Sequence, residues 1–132
     1  MPLEVHLVTP DREVWTGSAD LVIAHGVDGD VGIMPGHEPM LVQLAISVLR
    51  VQGGDARDEM KAVVDGGFLH VSTEGDETRV DVLASGADLA TELDAAAVRA
   101  RLAELENETQ DDENLVARVE MDKALVRARL TG

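Results

Sequence analysis

The chain has 132 residues and a mass of 14.1 kDa, which allows one domain or one domain with an appendage. Its formal charge of −15, from 26 acidic and 11 basic residues, argues against sequence-independent binding to nucleic acid and to anionic membranes. The chain contains no cysteine, which excludes disulfides, and no apolar stretch approaches about 18 residues, so we expect no direct membrane insertion.

Residues 1–84 are typical of a succession of β-strands. Leu3, Val5 and Leu7 alternate with polar residues, which is the period of a half-buried strand. Turn residues recur roughly every 8 to 12 positions, which predicts an antiparallel β-sandwich or flattened barrel. Further short strands are expected at 13–17, 21–24, 31–34, 46–51, 62–64, 68–72 and 79–84, with a turn at 65–67 between two of them.

The hydrophobic period becomes helical after residues 85–93, which we interpret as a linker. Asp94 is a good N-cap for a first helix of about four turns. Its apolar face consists of Ala95, Val98, Leu102 and Leu105.

A polar, acidic break at 107–114 separates the first helix from a second one. The short connection predicts an antiparallel helical hairpin over 94–132, so the chain is of the α+β class. Lys123 interrupts the apolar stripe of the second helix. That stripe consists of Leu115, Val116, Val119, Val126 and Leu130.

The charge distribution and the energetics suggest a mobile hairpin. Residues 1–84 carry a net charge of −10, whereas residues 115–132 carry +2. Burial of the apolar residues of the first helix contributes roughly 2 kcal/mol each, whereas ordering each backbone residue costs about 1–2 kcal/mol. We therefore hypothesise that the hairpin docks on the sandwich in one state and leaves it in another.

The densest turn chemistry lies in residues 26–44. Asp28-Gly29 between two apolar runs predicts a two-residue hairpin turn with positive φ at both positions. Residues 34–37 (Met-Pro-Gly-His) predict a type II turn with glycine at the position of positive φ. Pro39 favours an extended Glu38, so we expect His37 and Glu38 on an exposed loop.

This stretch resembles a known family. Residues 32–39 (Gly-Ile-Met-Pro-Gly-His-Glu-Pro), preceded by Asp-Gly-Asp at 28–30, resemble the signature loop of the epsilon subunit of F-type ATP synthases, called delta in mitochondria. Residues 65–68 (Asp-Gly-Gly-Phe) resemble the second Gly-Gly motif of that family. The order, spacing and length fit along essentially the whole chain.

The resemblance implies a non-catalytic rotor subunit without a cofactor. It would bind the gamma subunit and the ring of c subunits on the central stalk, coupling proton-driven rotation to ATP synthesis. Its C-terminal helices would restrain ATP hydrolysis through transient contacts with the alpha and beta catalytic subunits. It would act at the cytoplasmic face of the plasma membrane, as a peripheral part of the complex.

The resemblance also nominates two groups of contact residues. The acidic hairpin tip and the signature loop would contact the rotor ring and the stalk, through Asp28, Asp30, His37 and Glu38. The basic positions of the last helix would face acidic segments of the catalytic subunits when the hairpin extends; these are Arg118, Lys123, Arg127 and Arg129.

An ATP-binding motif of some bacterial members is altered in this chain. The motif is Ile/Leu-Asp-x-x-Arg-Ala, but here five positions separate Asp94 from Arg99. The two extra positions swing the guanidinium by about 160° around a helix. We therefore expect Asp94 and Arg99, the residues that this motif would use, not to bind ATP.

Two rival functions remain open from the residues alone. One is a free-standing β-sandwich that binds a protein partner. The other is a small metal-dependent barrel enzyme using His25, His37, Glu38 and His70, although these residues lack a paired metal-binding spacing. No Gly-Lys-Ser/Thr loop and no Gly-x-Ser-x-Gly elbow occurs, so we expect no metal site and no catalytic residue.

Overall fold

The computed structural model describes residues 2–108 and 115–131. These residues form a β-sheet followed by two helices, so the predicted α+β class is confirmed. The strands are β1 (Leu3–Val8), β2 (Glu13–Ala19), β3 (Leu21–Gly26), β4 (Gly29–Ile33), β5 (Met40–Gln52), β6 (Met60–Glu74), β7 (Glu77–Ala84) and β8 (Ala87–Leu89). The helices are α1 (Ala95–Glu108) and α2 (Leu115–Thr131), and two 3₁₀ turns cover Gly54–Ala56 and Ala90–Glu92.

The strands form one open sheet in the order β2-β1-β7-β6-β5-β3-β4, and β8 pairs with β6. Neighbouring strands are antiparallel as predicted, except that β1 runs parallel to β7, with Leu3 opposite Thr78 and Val8 opposite Leu83. β1 is paired along its length with both neighbours, and Leu3, Val5 and Leu7 are fully buried because they lie on the face of β1 that packs in the core. The predicted alternation of β1 is confirmed.

One aliphatic core lies inside the folded sheet. Its buried cluster takes residues from every strand, from Leu3 of β1 to Ala87 of β8. Because side chains of all eight strands meet in one cluster, the sheet must fold over on itself as a sandwich. The sequence supplies only aliphatic side chains for this cluster, and Trp15 packs against it from outside.

The prediction that every strand is short was wrong for β5 and β6, which have 13 and 15 residues. The expected turn at 65–67 is a kink inside β6, where Gly66 and Gly67 have φ values of +83° and +117°. Buried residues on either side of the kink, Val64 and Leu69, lie five positions apart, so the alternation changes phase there. A Cβ atom on Gly67 would collide with the Leu83 carbonyl oxygen, which explains the glycine.

The segment predicted as a linker, 85–93, contains β8 and the 3₁₀ turn Ala90–Glu92. The predicted N-cap is confirmed, because the Ala96 amide donates a hydrogen bond to Asp94 Oδ1 at 2.9 Å. On α1, Val98 and Leu105 are buried as expected, and Leu102 is half-buried.

The predicted apolar face of α2 was wrong in part. Val116 and Val119 are 75% and 46% exposed, whereas Ala117 and Ala124 are buried. These alanines lie two turns apart on one face, and their small side chains let α2 approach α1 and strands β5 and β6 closely. Val126 and Leu130 are half-buried, while the Leu115 side chain and residues 109–114 lie outside the described residues. Neither helix, within the described residues, is long and apolar enough to cross a membrane.

Candidate partner-binding surfaces

The β3–β4 hairpin carries the two acidic residues expected at its tip. Its turn is centred on Val27 and Asp28, because Gly26 pairs with Gly29. Arg57 is the only non-glycine residue with positive φ in the described part of the chain, so the predicted turn with positive φ at both central positions was wrong. The chain instead uses Gly29, with φ of +141°, to begin β4. Asp28 is exposed at the turn itself.

His25 holds the second acidic residue of the tip. It lies directly opposite Asp30 in the β3–β4 register, and its Nδ1 atom is 2.6 Å from Asp30 Oδ1. The Asp30 side chain is otherwise exposed, so this contact fixes the direction of its carboxylate. From the sequence alone, His25 is a candidate only as a metal ligand. The signal for its role is the hairpin register, which pairs positions 25 and 30.

The signature loop has the predicted type II turn. The His37 amide donates to the Met34 carbonyl at 3.1 Å, and Gly36 has φ of +89°. The Gly36 amide donates to the buried Thr78 hydroxyl at 2.8 Å, which ties the loop to β7. His37 Nδ1 donates to the Glu38 carbonyl at 2.7 Å, and the Glu38 side chain is exposed.

The hairpin tip and the signature loop lie at the same end of the sheet. Gly26 is opposite Leu44, so β5 begins four residues beyond that pair, on the side of the hairpin tip. A hollow of about 280 Å³ is lined by both the tip and the first residues of β5. The structure therefore brings Asp28 and Asp30 to the end of the sandwich where His37 and Glu38 enter β5. We call this region the acidic end.

A second surface, absent from the sequence analysis, is an apolar patch on the outer side of β5, β6 and β7. Leu41, Phe68 and Leu83 are 66%, 48% and 55% exposed, and Phe68 is the cross-strand neighbour of Leu83. Together with Val8 and Pro10, Phe68 and Leu83 line a hollow of about 440 Å³. We call these residues the outer apolar patch. Contiguous exposed apolar side chains mark protein interaction sites.

The four basic residues of α2 have different surroundings. Arg118 and Arg129 are exposed, and Lys123 Nζ lies 3.2 Å from Glu120 Oε1. The Arg127 guanidinium instead points to the sandwich and contacts two carboxylates. Burial opposes its charge, but the hydrogen bonds to these carboxylates outweigh burial and raise the pKa of Arg127.

Asp94 and Arg99, the residues of the altered ATP motif, have different surroundings. The Asp94 carboxylate caps α1, while Arg99 is exposed on the same helix. A carboxylate engaged by backbone amides is less available for a nucleotide.

The residues of the metal-enzyme hypothesis do not form a metal-binding group. His25 contacts Asp30, His37 contacts the Glu38 backbone, and His70 lies on β6 opposite Leu41. Within residues 2–108 and 115–131, no three His, Cys, Asp or Glu side chains are grouped so that they could hold a metal ion.

Comparison with known proteins identifies relatives over most of the chain. Residues 2–90 match the family described as ATP synthase, Delta/Epsilon chain, beta-sandwich domain. The ATP synthase epsilon chain of Thermobifida fusca is 45% identical over 127 residues, covering 96% of this chain and 90% of the relative. That of Frankia casuarinae is 46% identical over 90 residues, which cover 67% of this chain and 99% of the relative.

Solved structures share the fold. A chain in the mitochondrial ATP synthase of Euglena gracilis, solved as an OSCP/F1/c-ring assembly, aligns with a TM-score of 0.78 and 21% identity. The alignment covers 95% of this chain and 78% of that chain. A chain of the Tetrahymena thermophila central stalk and c-ring aligns with a TM-score of 0.53 and 17% identity, over 98% and 96% of the two chains.

Proposed function

The chain belongs to the delta/epsilon family of ATP synthase subunits, and we propose that it is a central-stalk subunit that binds the gamma subunit and the ring of c subunits. It is a non-catalytic subunit of the synthase. The observation that carries the proposal is the family match over residues 2–90, which covers the strands that form both candidate surfaces. The two structural neighbours come from assemblies that include the c-ring, which supports the ring as a partner.

Each surface has a chemistry that suits one partner. The outer apolar patch suits the gamma subunit, because a permanent interface between stalk subunits buries apolar side chains. The acidic end suits the polar loops of the c subunits, which Asp28, Asp30, His37 and Glu38 would contact. A subunit held in this way is peripheral to the membrane, and we place it at the cytoplasmic face of the plasma membrane.

The sandwich and the hairpin have separate roles in this proposal. The Frankia relative is matched over 99% of its length by 90 residues, about the length of the sandwich, so a sandwich without a long hairpin occurs in the family. The hairpin, residues 94–132, would couple the stalk to the alpha and beta subunits and restrain ATP hydrolysis. Its contacts would come from the basic residues Arg118, Lys123, Arg127 and Arg129.

The test uses a synthase core stripped of its own epsilon subunit. ATP hydrolysis is measured as the full chain or a chain ending at Leu93 is added, since that truncation retains β8 and the 3₁₀ turn Ala90–Glu92. We expect both chains to bind the core and only the full chain to slow hydrolysis. If neither binds, the chain is a free-standing interaction module; if both slow hydrolysis equally, the helices are not the restraining element.

A further inference from the structure

One side chain of α2, Arg127, makes several hydrogen bonds to the sandwich. Arg127 Nη1 and Nη2 donate to the two carboxylate oxygens of Asp65 at 2.8 and 2.9 Å. Arg127 Nε donates to Asp88 Oδ2 at 2.8 Å, and Nη1 also donates to the Lys123 carbonyl at 3.1 Å. The guanidinium thereby joins α2 to β6 and β8 at once. We call Arg127, Asp65 and Asp88 the ion cluster.

Within the ion cluster, Arg127 and Asp65 are shielded from solvent and the Asp65 carboxylate is fixed, whereas the Asp88 side chain is 40% exposed. The side chains of Arg127 and Asp65 are 16% and 10% exposed. The Asp65 amide donates to the Gly86 carbonyl at 2.8 Å, and a Cβ atom on Gly86 would lie 2.7 Å from the Asp65 carboxylate. The backbone between β7 and β8 therefore holds this carboxylate where Arg127 meets it.

The remaining docking face of α2 offers little specificity. Its fully buried side chains are small, Ala117 and Ala124, while Val126 and Leu130 are half-buried and Val116 and Val119 are exposed. A bidentate arginine–carboxylate pair has a defined geometry, whereas alanine contacts tolerate sliding. Removing Asp65 leaves the shielded Arg127 charge without its bidentate partner, which disfavours the docked position of α2.

We propose that Arg127 is the latch of the docked hairpin, and that the ion cluster sets how often the hairpin leaves the sandwich. Arg127 has two mutually exclusive uses: it binds Asp65 and Asp88 in the docked hairpin, or it contacts the catalytic subunits when the hairpin is free. The second use rests on the proposed restraint of hydrolysis. Substituting Asp65 or Asp88 favours the free hairpin and leaves all its basic residues intact. Substituting Arg127 also frees the hairpin, but it removes one of the proposed contacts with the catalytic subunits.

The latch is tested by amide hydrogen exchange on the full chain in isolation. Asp65→Asn and Asp88→Asn should each speed the exchange of α2 amides about tenfold or more, since a hydrogen bond to a charged group is lost. The strands should keep their protection. Asp81→Asn is the matched control, because it removes the same charge from the surface pair with Arg79. Unchanged protection of α2 in both cluster variants would overturn the latch.

Two further variants separate the ion cluster from a general loss of packing. Arg127→Lys keeps the charge but not the fork, so α2 should exchange at a rate between wild type and Arg127→Gln. Adding Asp88→Asn to Arg127→Gln should cause no further increase, because the acceptor has already lost its donor. A full additional increase from the second substitution would show that the two residues act independently and would overturn the latch.

The second use is tested by ATP hydrolysis in the reconstituted synthase. Asp88→Asn should slow hydrolysis below the wild-type rate, and Asp81→Asn should not. Faster α2 exchange with unchanged hydrolysis supports the latch and rejects restraint by the helices. Slower hydrolysis with unchanged exchange overturns the latch and leaves restraint standing. If Arg127→Gln slows hydrolysis as much as Asp88→Asn, the second use of Arg127 is wrong.

Discussion

Arg12 and Glu92, eighty positions apart in the chain, form a bidentate ion pair in which both N–O distances are 2.8 Å. Arg12 precedes β2, and Glu92 ends the 3₁₀ turn before α1. The Leu89 amide also donates to Glu92 at 2.9 Å. The segment directly before the hairpin is therefore bound to the rest of the sandwich.

This ion pair gives the stability of the chain a defined pH dependence. The hydrogen bonds from Arg12 and from the Leu89 amide lower the pKa of Glu92 from 4.5 to about 2. Because the folded-state pKa is depressed, the carboxylate stabilises the fold above its ordinary pKa, and this contribution disappears as the pH falls from about 4.5 to about 2. Glu92→Gln should lower the free energy of unfolding at neutral pH and have no effect near pH 2.

Urea unfolding of both proteins at a series of pH values measures this difference. Arg12→Gln is the matched control, since it removes the other half of the pair and should show the same convergence at low pH. A difference that persists undiminished at pH 2 would mean that Glu92 acts through packing and not through its charge.

Gly67→Ala should destabilise the sandwich. The residue has φ of +117°, and an added Cβ atom would collide with the Leu83 carbonyl. Backbone strain of this kind costs about 1–3 kcal/mol, and the collision adds to it. Gly32→Ala is the control, because its nearest neighbour would be 3.9 Å away at an ordinary φ, and should change the free energy of unfolding by less than about 0.5 kcal/mol. Equal effects in denaturant titrations would contradict this account of the kink.

Ala124→Leu should release the hairpin from the sandwich. Ala124 is buried on the docking face of α2, and extra methylene groups in such a site cost about 1–3 kcal/mol. Hydrogen exchange should become faster in α1 and α2 but not in the strands. Val119→Leu adds one methylene at a position that is 46% exposed and should leave exchange unchanged. Retained protection in the Ala124 variant would show that this face is not the docking face.

Substitution of the outer apolar patch should weaken binding to the synthase core. Phe68→Ser with Leu83→Ser removes two partly exposed side chains, so we expect at least about a tenfold rise in the Kd with little loss of stability. Isothermal titration against a core that contains gamma measures this change. Val116→Ser, on the exposed side of α2, is the control. Unaltered affinity would assign the gamma contact to another surface.

The features that were predictable from sequence depend on local chemistry. The alternation of β1, the type II turn with Gly36 at its third position and the Asp94 cap each involve residues within a few positions of one another. Their physical causes, side-chain period and allowed φ, are visible in the residue types themselves.

The features that sequence reasoning missed depend on distant residues. Gly66 and Gly67 have the chemistry of a turn, but β5 pairs with β6 on both sides of them and keeps the two halves in one strand. The valines of α2 are the more apolar residues, yet a close approach of helix and sheet selects alanine. The contact of Arg127 with Asp65 is not predictable from the sequence, because the two residues lie 62 positions apart.

The parallel pairing of β1 with β7 constrains how the protein can be made. Residues 3–8 are synthesised before residues 78–83, so one side of β1 stays unpaired until β7 has followed. At a synthesis rate of about 5–20 residues per second, the first strand waits for several seconds. The core therefore closes after translation has passed the last long strand. The helices, which follow the strands in the chain, can then dock on a surface that is already formed.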